Sequence, residues 1–327
     1  MPPKDTNTET LKRLSEEARP NEPPVPKDNH IPDSETSSKD VTVFETVDVE
    51  ALADRCLSLL KACESGDHSA SCAVSFNDHN QIFIGIAGTP GSGKSFIANE
   101  IAKVIAKRNP NGEADTPECV VVGMDGYHLT RKELKERAEN GYEFKTDQED
   151  DDGNPIKTTM TYDQLLARRG AAFTYDPQKF IQDLKRIKED GHGSLPEYDR
   201  DQHDPVPDRV QVRPENKIIL VEGLYLLCLH DPEWAPLGEL WDDTWFVEVS
   251  LDETKRRLVK RHLKYWNEEK TKQWGGSDEK AAARKAESND LKNAVCIQKF
   301  SRNNAKLIVH NEKIPEDDNN NADVEAA

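Results

Sequence analysis

The chemistry in this chain starts at eight consecutive residues, Gly88, Thr89, Pro90, Gly91, Ser92, Gly93, Lys94 and Ser95. They satisfy G-x-x-x-x-G-K-[ST], a phosphate-cradling pattern. A polyphosphate needs several N–H donors converging on one point. Gly88, Gly91 and Gly93 let the backbone curl so that successive amides point inward. A helix starting near Gly93 adds its unpaired N–H groups and the positive end of its dipole. Lys94 reaches the β- and γ-phosphates as a point charge, and Ser95 offers a hydroxyl to Mg²⁺. A switching GTPase also needs D-x-x-G after an apolar strand and a base-reading N-K-x-D; neither occurs in suitable context, and Asn303-Asn-Ala-Lys306 is not a match.

Two carboxylates end apolar runs. Asp125 follows Val120-Val-Val-Gly-Met, and Glu222 follows Ile218-Ile-Leu-Val. Ligands gather at the C-terminal ends of strands in open α/β sheets. A carboxylate at Asp125 can take the proton of an acceptor hydroxyl or hold Mg²⁺ through water, although Asp-Gly is also a common turn former. Glu222 is expensive to bury without a partner; Mg²⁺ beside Ser95 supplies one, and a solvated loop position is the alternative. Farther on, Arg257 and Arg261 share a face of a strongly basic helix at i, i+4. On a movable lid such arginines neutralise charge on a transferred phosphoryl group.

The elements that must hold these residues are readable from periodicity. Apolar runs at Ile82–Ala87, Cys119–Val122, Lys217–Val221, Thr244–Val249 and Leu307–Val309 predict buried strands. Helical spacing appears at 48–64, where Val49, Leu52, Cys56, Leu59 and Leu60 share a face, and at 94–107, 132–140, 161–169, 177–190, 253–266 and 291–302. Buried strands alternating with helices predict a mostly parallel sheet with helices on both faces. The acidic stretch 143–160 reads as a loop or insertion, 192–216 as a long irregular segment, and 267–287 as polar, helix-like chain.

Of 327 residues, 35% are apolar and 32% charged, a core diluted by polar segments. Residues 1–45 read as a disordered tail, 46–312 as the folded domain with a lid around 253–287, and 313–327 as an acidic disordered tail. A net charge of -18 argues against a nucleic-acid or anionic-membrane surface. No apolar run approaches the ~20 residues that span a bilayer. The six cysteines form no C-x-x-C pair and are expected as reduced thiols, in the cytoplasm or nucleus.

Taken in order, GTPGSGKS, MDGYH at 124–128, RRGAAFTYD at 168–176, LPEYDRDQHDP at 195–205, VEGLY at 221–225, RRLVKRH at 256–262 and NDLKNA at 289–294 resemble the P-loop kinase family of phosphoribulokinase, uridine kinase and pantothenate kinase, particularly its fungal kinase-like ATPases. The resemblance spans residues 82–310. It implies the three-layer α/β P-loop NTPase fold, ATP and Mg²⁺, and a small-molecule phosphate acceptor. It also implies Asp125 as base, Glu222 near the metal, and Asp176, Tyr198 and His203 at the acceptor, with Arg169 suited to an acidic acceptor. Arg257 and Arg261 match the lid, and Asn289, Asp290 and Asn293 the return beside the nucleotide base. After Tyr198-Asp199 the chain has Arg-Asp-Gln where uridine kinases tend to have Phe. The rival expectation is an ATPase coupled to a protein partner through the N-terminal tail, with monomer and homodimer both open.

Overall fold

The computed structural model describes residues 41–65, 79–108, 119–149 and 155–312. Its strands in chain order are β1 (Thr42–Phe44), β2 (Ile82–Gly88), β3 (Cys119–Gly123), β4 (Glu143–Glu149), β5 (Pro155–Thr159), β6 (Gly193–Asp199), β7 (Asp204–Val212), β8 (Ile218–Gly223), β9 (Asp243–Glu248) and β10 (Leu307–His310). The helices are α1 (Val49–Ser65), α2 (Lys94–Arg108), α3 (Arg131–Glu139), α4 (Tyr162–Ala167), α5 (Pro177–Asp190), α6 (Leu251–Lys264), α7 (Glu268–Trp274), α8 (Glu279–Ser288) and α9 (Asp290–Ser301). The chain forms two compact units whose boundaries fall at His128/Leu129, Thr174/Tyr175, Val249/Ser250 and Val295/Cys296. The segment expected as a lid lies in the unit made of Leu129–Thr174 and Ser250–Val295.

In the other unit, six strands form one parallel sheet in the order β1-β10-β9-β2-β8-β3. Every residue of β2 and β8 is buried. Strands covered on both faces cannot alternate apolar with polar, which is why both read as unbroken apolar runs. Ile82, Ile84 and Ile86 point to one face, where they pack with Leu52, Cys56 and Leu60 of α1 and Ile97, Ala98 and Ile101 of α2. On the opposite face Trp241 packs over Gly85, where an added Cβ would stand 3.0 Å from the indole. Lys188 of α5 lies over the Phe83 ring at 5.2 Å and donates to the Leu240 carbonyl. Helices therefore cover both faces, the three-layer α/β arrangement expected of a P-loop fold.

Three expectations are corrected. Residues 42–44, assigned to the tail, form an edge strand paired with Leu307–Val309; residues 1–40 lie outside the described residues. The stretch 143–160 is not simply a loop: β4 and β5 pair antiparallel, Phe144 opposite Thr158. The irregular segment 192–216 holds the β6–β7 hairpin, Leu195 opposite Val210 and Asp199 opposite Asp204. Its strands carry Pro196, Pro205 and Pro207 and are half-exposed. Proline lacks an N–H and marks edge or bulged strands, so the local pattern points away from a ladder that tertiary pairing nevertheless makes.

The second unit carries two small cores. Leu129, Leu134, Phe144 and Leu165 form one; Leu258, Ala286 and Leu291 form the other. Helices α3 and α4 each start in a capping box, Thr130 with Glu133 and Thr161 with Gln164. Cys56, Cys63, Cys119, Cys228 and Cys296 are free thiols; Cys72 and the tail 313–327 lie outside the described residues.

Candidate functional site

Strand β2 delivers the phosphate loop to the C-terminal edge of the sheet, and α2 leaves it. The Ser92 N–H donates to the Thr89 carbonyl at 3.1 Å. Gly91 and Gly93 have φ of 76° and 90°, left-handed values that glycine adopts without a Cβ penalty. The loop is also pinned from outside, since Asn311 Nδ2 donates to the Ser92 carbonyl at 2.8 Å. Lys94 is 8% exposed, and its Nζ reaches the Thr89 carbonyl only at 3.4 Å.

Both strand-end acids lie beside this loop. Glu222, near the end of β8, is buried, and the Ser95 hydroxyl favours its charged form. Burial pushes its carboxyl above the ordinary range, Lys94 pulls it back, and Asp125 pushes it up again. A second carboxylate and a triphosphate would crowd this charge further, so a divalent cation is the partner chemistry this acid fits. Among the described residues no group of three or more His, Cys, Asp or Glu could hold a metal. Mg²⁺ does not require one, because it is usually held by one or two carboxylates with substrate phosphates and water.

Asp125 lies in the short 3-10 turn Met124–Tyr127, immediately after β3. Its side chain is 49% exposed, and Oδ1 accepts the Tyr175 hydroxyl at 3.1 Å. The turn is locked by the His128 N–H and ring Nδ1, both directed at the Asp125 carbonyl, at 3.2 Å and 2.9 Å. The His128 ring packs against Tyr175 and Tyr198, with centroids 4.0 Å and 4.9 Å away. Strand β6 presses on the turn so closely that a Cβ on Gly126 would stand 2.2 Å from the Pro196 carbonyl oxygen.

The structure thus gathers Lys94, Ser95, Asp125, Glu222 and Tyr198 in one unit. Asp176 is in that unit too, but its carboxylate caps α5 by accepting the Lys179 N–H at 2.9 Å. His203 sits exposed in the β6–β7 turn with φ 55°. Arg169, Arg257 and Arg261 belong to the other unit. There Arg169 Nη2 donates to the Leu129 carbonyl at 3.0 Å, and its own carbonyl accepts Asn289 Nδ2 at 2.8 Å. Arg257 is paired with Glu253 at 2.7 Å on its own helix. Arg261 bears on the part-buried His262–Asp290 pair, which meets at 2.7 Å. Asn289 and Asp290 are therefore engaged inside their own unit.

Sequence reasoning passed over Tyr175, His128, Arg200 and Asn311. Tyr175 and His128 stand inside quoted motifs but were not chosen from them. Arg200 acts on Glu222 through its charge; its replacement of Phe was the visible signal. Asn311 carries no local signal, since its partner lies 219 residues away.

No protein-family model matches the chain. The ATP-dependent kinase-like protein notR' of Aspergillus versicolor is 34% identical over 145 residues, covering 43% of this chain and 71% of its own. A Schizosaccharomyces pombe protein with a provisional uridine kinase name is 32% identical over 61% of this chain and 74% of its own. A solved kinase from Silicibacter sp. TM1040, provisionally assigned to fructose transport, superposes with TM-score 0.57 at 26% identity, covering 80% of this chain and 98% of its own. YFH7 of Saccharomyces cerevisiae, at 19% identity and TM-score 0.58, covers 82% of this chain and 100% of its own, a likeness of fold. No described helix is long and apolar enough to cross a membrane. With a phosphate loop on the parallel sheet, two acids beside it and relatives at this identity, the chain belongs to the P-loop kinase family that includes phosphoribulokinase, uridine kinase and pantothenate kinase.

Proposed function

We propose that this kinase transfers the γ-phosphate of ATP, taken with Mg²⁺, to a hydroxyl of a small metabolite of the sugar, nucleoside or pantothenate kind. The observation that carries the reading is Asp125: a half-exposed carboxylate with one oxygen tied and the other without a hydrogen-bond partner among the described residues, next to the Lys94–Ser95–Glu222 group. Names of relatives that include uridine kinase and ATP-dependent kinase support it.

The backbone N–H groups of residues 88–95 and the start of α2 take the phosphates, and Lys94 offsets charge on the β- and γ-groups. Mg²⁺ supplies further charge compensation when bound, and the Ser95 hydroxyl and Glu222 carboxylate are the groups that would hold it. Asp125 accepts the acceptor hydroxyl's proton through its open oxygen. Tyr198, packed beside His128, is the acceptor-side residue that the geometry favours. Most of the rate comes from positioning and electrostatics.

The test is a screen of the purified full chain with Mg·ATP against sugars, nucleosides, hydroxy acids and pantothenate, following ADP release and product mass. One class should raise turnover well above the water background. Asp125→Asn should cut transfer by about 10²–10⁴-fold with ATP binding retained. If no acceptor raises turnover while a protein partner does, the chain is an ATPase coupled to that partner.

A further inference from the structure

Tyr175 reaches Asp125 from fifty residues along the chain. Two backbone contacts set its place. His128 and Tyr175 form an isolated antiparallel bridge, and the Asp176 N–H donates to the Tyr127 carbonyl at 2.9 Å. Its ring is 2% exposed. It is gripped edge-on by Tyr225 and Trp234, with centroids at 5.8 Å and 6.1 Å, and covered by His128 at 4.0 Å. A ring held on three sides cannot follow Asp125 about; Asp125 must come to it.

We propose that Tyr175 is a positioning residue for phosphoryl transfer: its buried hydroxyl fixes the Asp125 carboxylate through Oδ1 and so aims Oδ2 at the acceptor hydroxyl. This rests on the reading of Asp125 as the base. A buried hydroxyl must be paired, and the Asp125 carboxylate is the acceptor it has. Asp125 in turn is half-exposed on a short turn, where an untethered side chain would sample several rotamers. The tether consumes one oxygen and spares the other. Burial keeps the phenol far above its ordinary pKa, with Asp125 adding to the effect, so Tyr175 remains a donor throughout the working range. Lys94, Asp125 and Arg200 each act on Glu222 through their charge, and His128 Nδ1 stands 3.9 Å from the same Asp125 Oδ1, beyond hydrogen-bond reach. Among the described residues, Tyr175 makes the side-chain hydrogen bond to Asp125.

The test is a double-mutant cycle in the full chain, with Mg·ATP and the best acceptor of a panel of uridine, fructose, D-glycerate and pantothenate. Tyr175→Phe should lower kcat about 3–10-fold, the worth of one hydrogen bond, and leave the KM for ATP unchanged. On an Asp125→Asn background the same change should cost less than about twofold, since the carboxylate it aims is gone. At position 175, 4-aminophenylalanine, which restores an N–H donor, should recover most of the rate. 4-Methylphenylalanine, which fills the same volume without a donor, should not, and this pair keeps the ring packed should Phe disturb folding. Equal costs of Tyr175→Phe on both backgrounds, or equal rates for the two synthetic residues, overturn the proposal while leaving Asp125 as base. If Asp125→Asn itself turns over like wild type, or no panel member is phosphorylated, the reading of Asp125 fails and the proposal with it.

Discussion

Gly88 is the residue at which the phosphate loop closes against both its own Ser92 and strand β9. An added Cβ would stand 2.7 Å from both the Ser92 hydroxyl and the Val247 carbonyl oxygen. The first obstacle is a side chain and can be removed; the second is backbone of β9 and cannot. Gly88→Ala should therefore destabilise the protein by about 1–3 kcal/mol, and adding Ser92→Ala should not rescue it. Ser92→Ala alone runs the other way. The Ser92 hydroxyl is buried without a hydrogen-bond partner and lies toward Gly88, beneath the loop. Losing it should stabilise the nucleotide-free protein by about 1 kcal/mol, with ATP affinity changed less than about threefold. Urea denaturation and calorimetric titration of the three variants measure both effects. The outcome also decides which atoms of the loop serve the ligand: if Ser92→Ala weakens ATP binding tenfold, its hydroxyl is part of the cradle.

At the scale of elements, the β6–β7 hairpin bears on the turn that holds Asp125, and Gly126 is the contact point. A Cβ there meets the Pro196 carbonyl oxygen at 2.2 Å, so Gly126→Ala must displace either the turn or the hairpin. The P-loop is not in that contact. The variant should lose kcat by tenfold or more, keep its KM for ATP, and melt lower, which steady-state kinetics and thermal denaturation can separate. In the other unit, the first turn of α6 carries Glu253. Its carboxylate accepts Arg256 at 2.6 Å and 2.8 Å and Arg257 at 2.7 Å. The Arg256 hydrogen bond outweighs burial, and with Arg257 holds the acid below the ordinary glutamate range. A depressed folded-state pKa adds stability above the unfolded pKa and loses it as pH falls through the folded one. Glu253→Gln should therefore be less stable than wild type at about pH 7, with the gap closing in urea melts as pH falls below the ordinary glutamate range.

Across the whole molecule, what the sequence discloses tracks how local the cause is. The strands β2, β3, β8, β9 and β10 are legible because burial on both faces writes itself as an apolar run. Asp125 and Glu222 are legible because each closes such a run, and Lys94 and Ser95 because they close the glycine-rich motif that follows β2. The hairpins escape because their prolines and half-exposed faces mimic loop, and β1 escapes because three edge residues make no pattern. Tyr175 and Asn311 escape for a different reason: each does its work on a segment far away, and only the folded chain supplies the partner. The same holds in the core. Asp243, fully buried at the start of β9, accepts Arg55 of α1 at 2.6 Å across 188 residues and the Trp245 indole at 2.7 Å, while its other oxygen accepts the Thr244 N–H at 3.0 Å. Removing one partner of such a pair strands a buried charge, so Arg55→Met should cost about 3–5 kcal/mol. Asp243→Asn in the Arg55→Met background removes that charge while its carbonyl can still accept the Trp245 indole. The double variant should therefore be more stable than Arg55→Met alone, an inversion of the usual additivity. Denaturant unfolding of the two proteins decides it. A double variant weaker than the single one would mean that Asp243 is stabilised by its neutral donors and that Arg55 serves mainly as a packed side chain on α1.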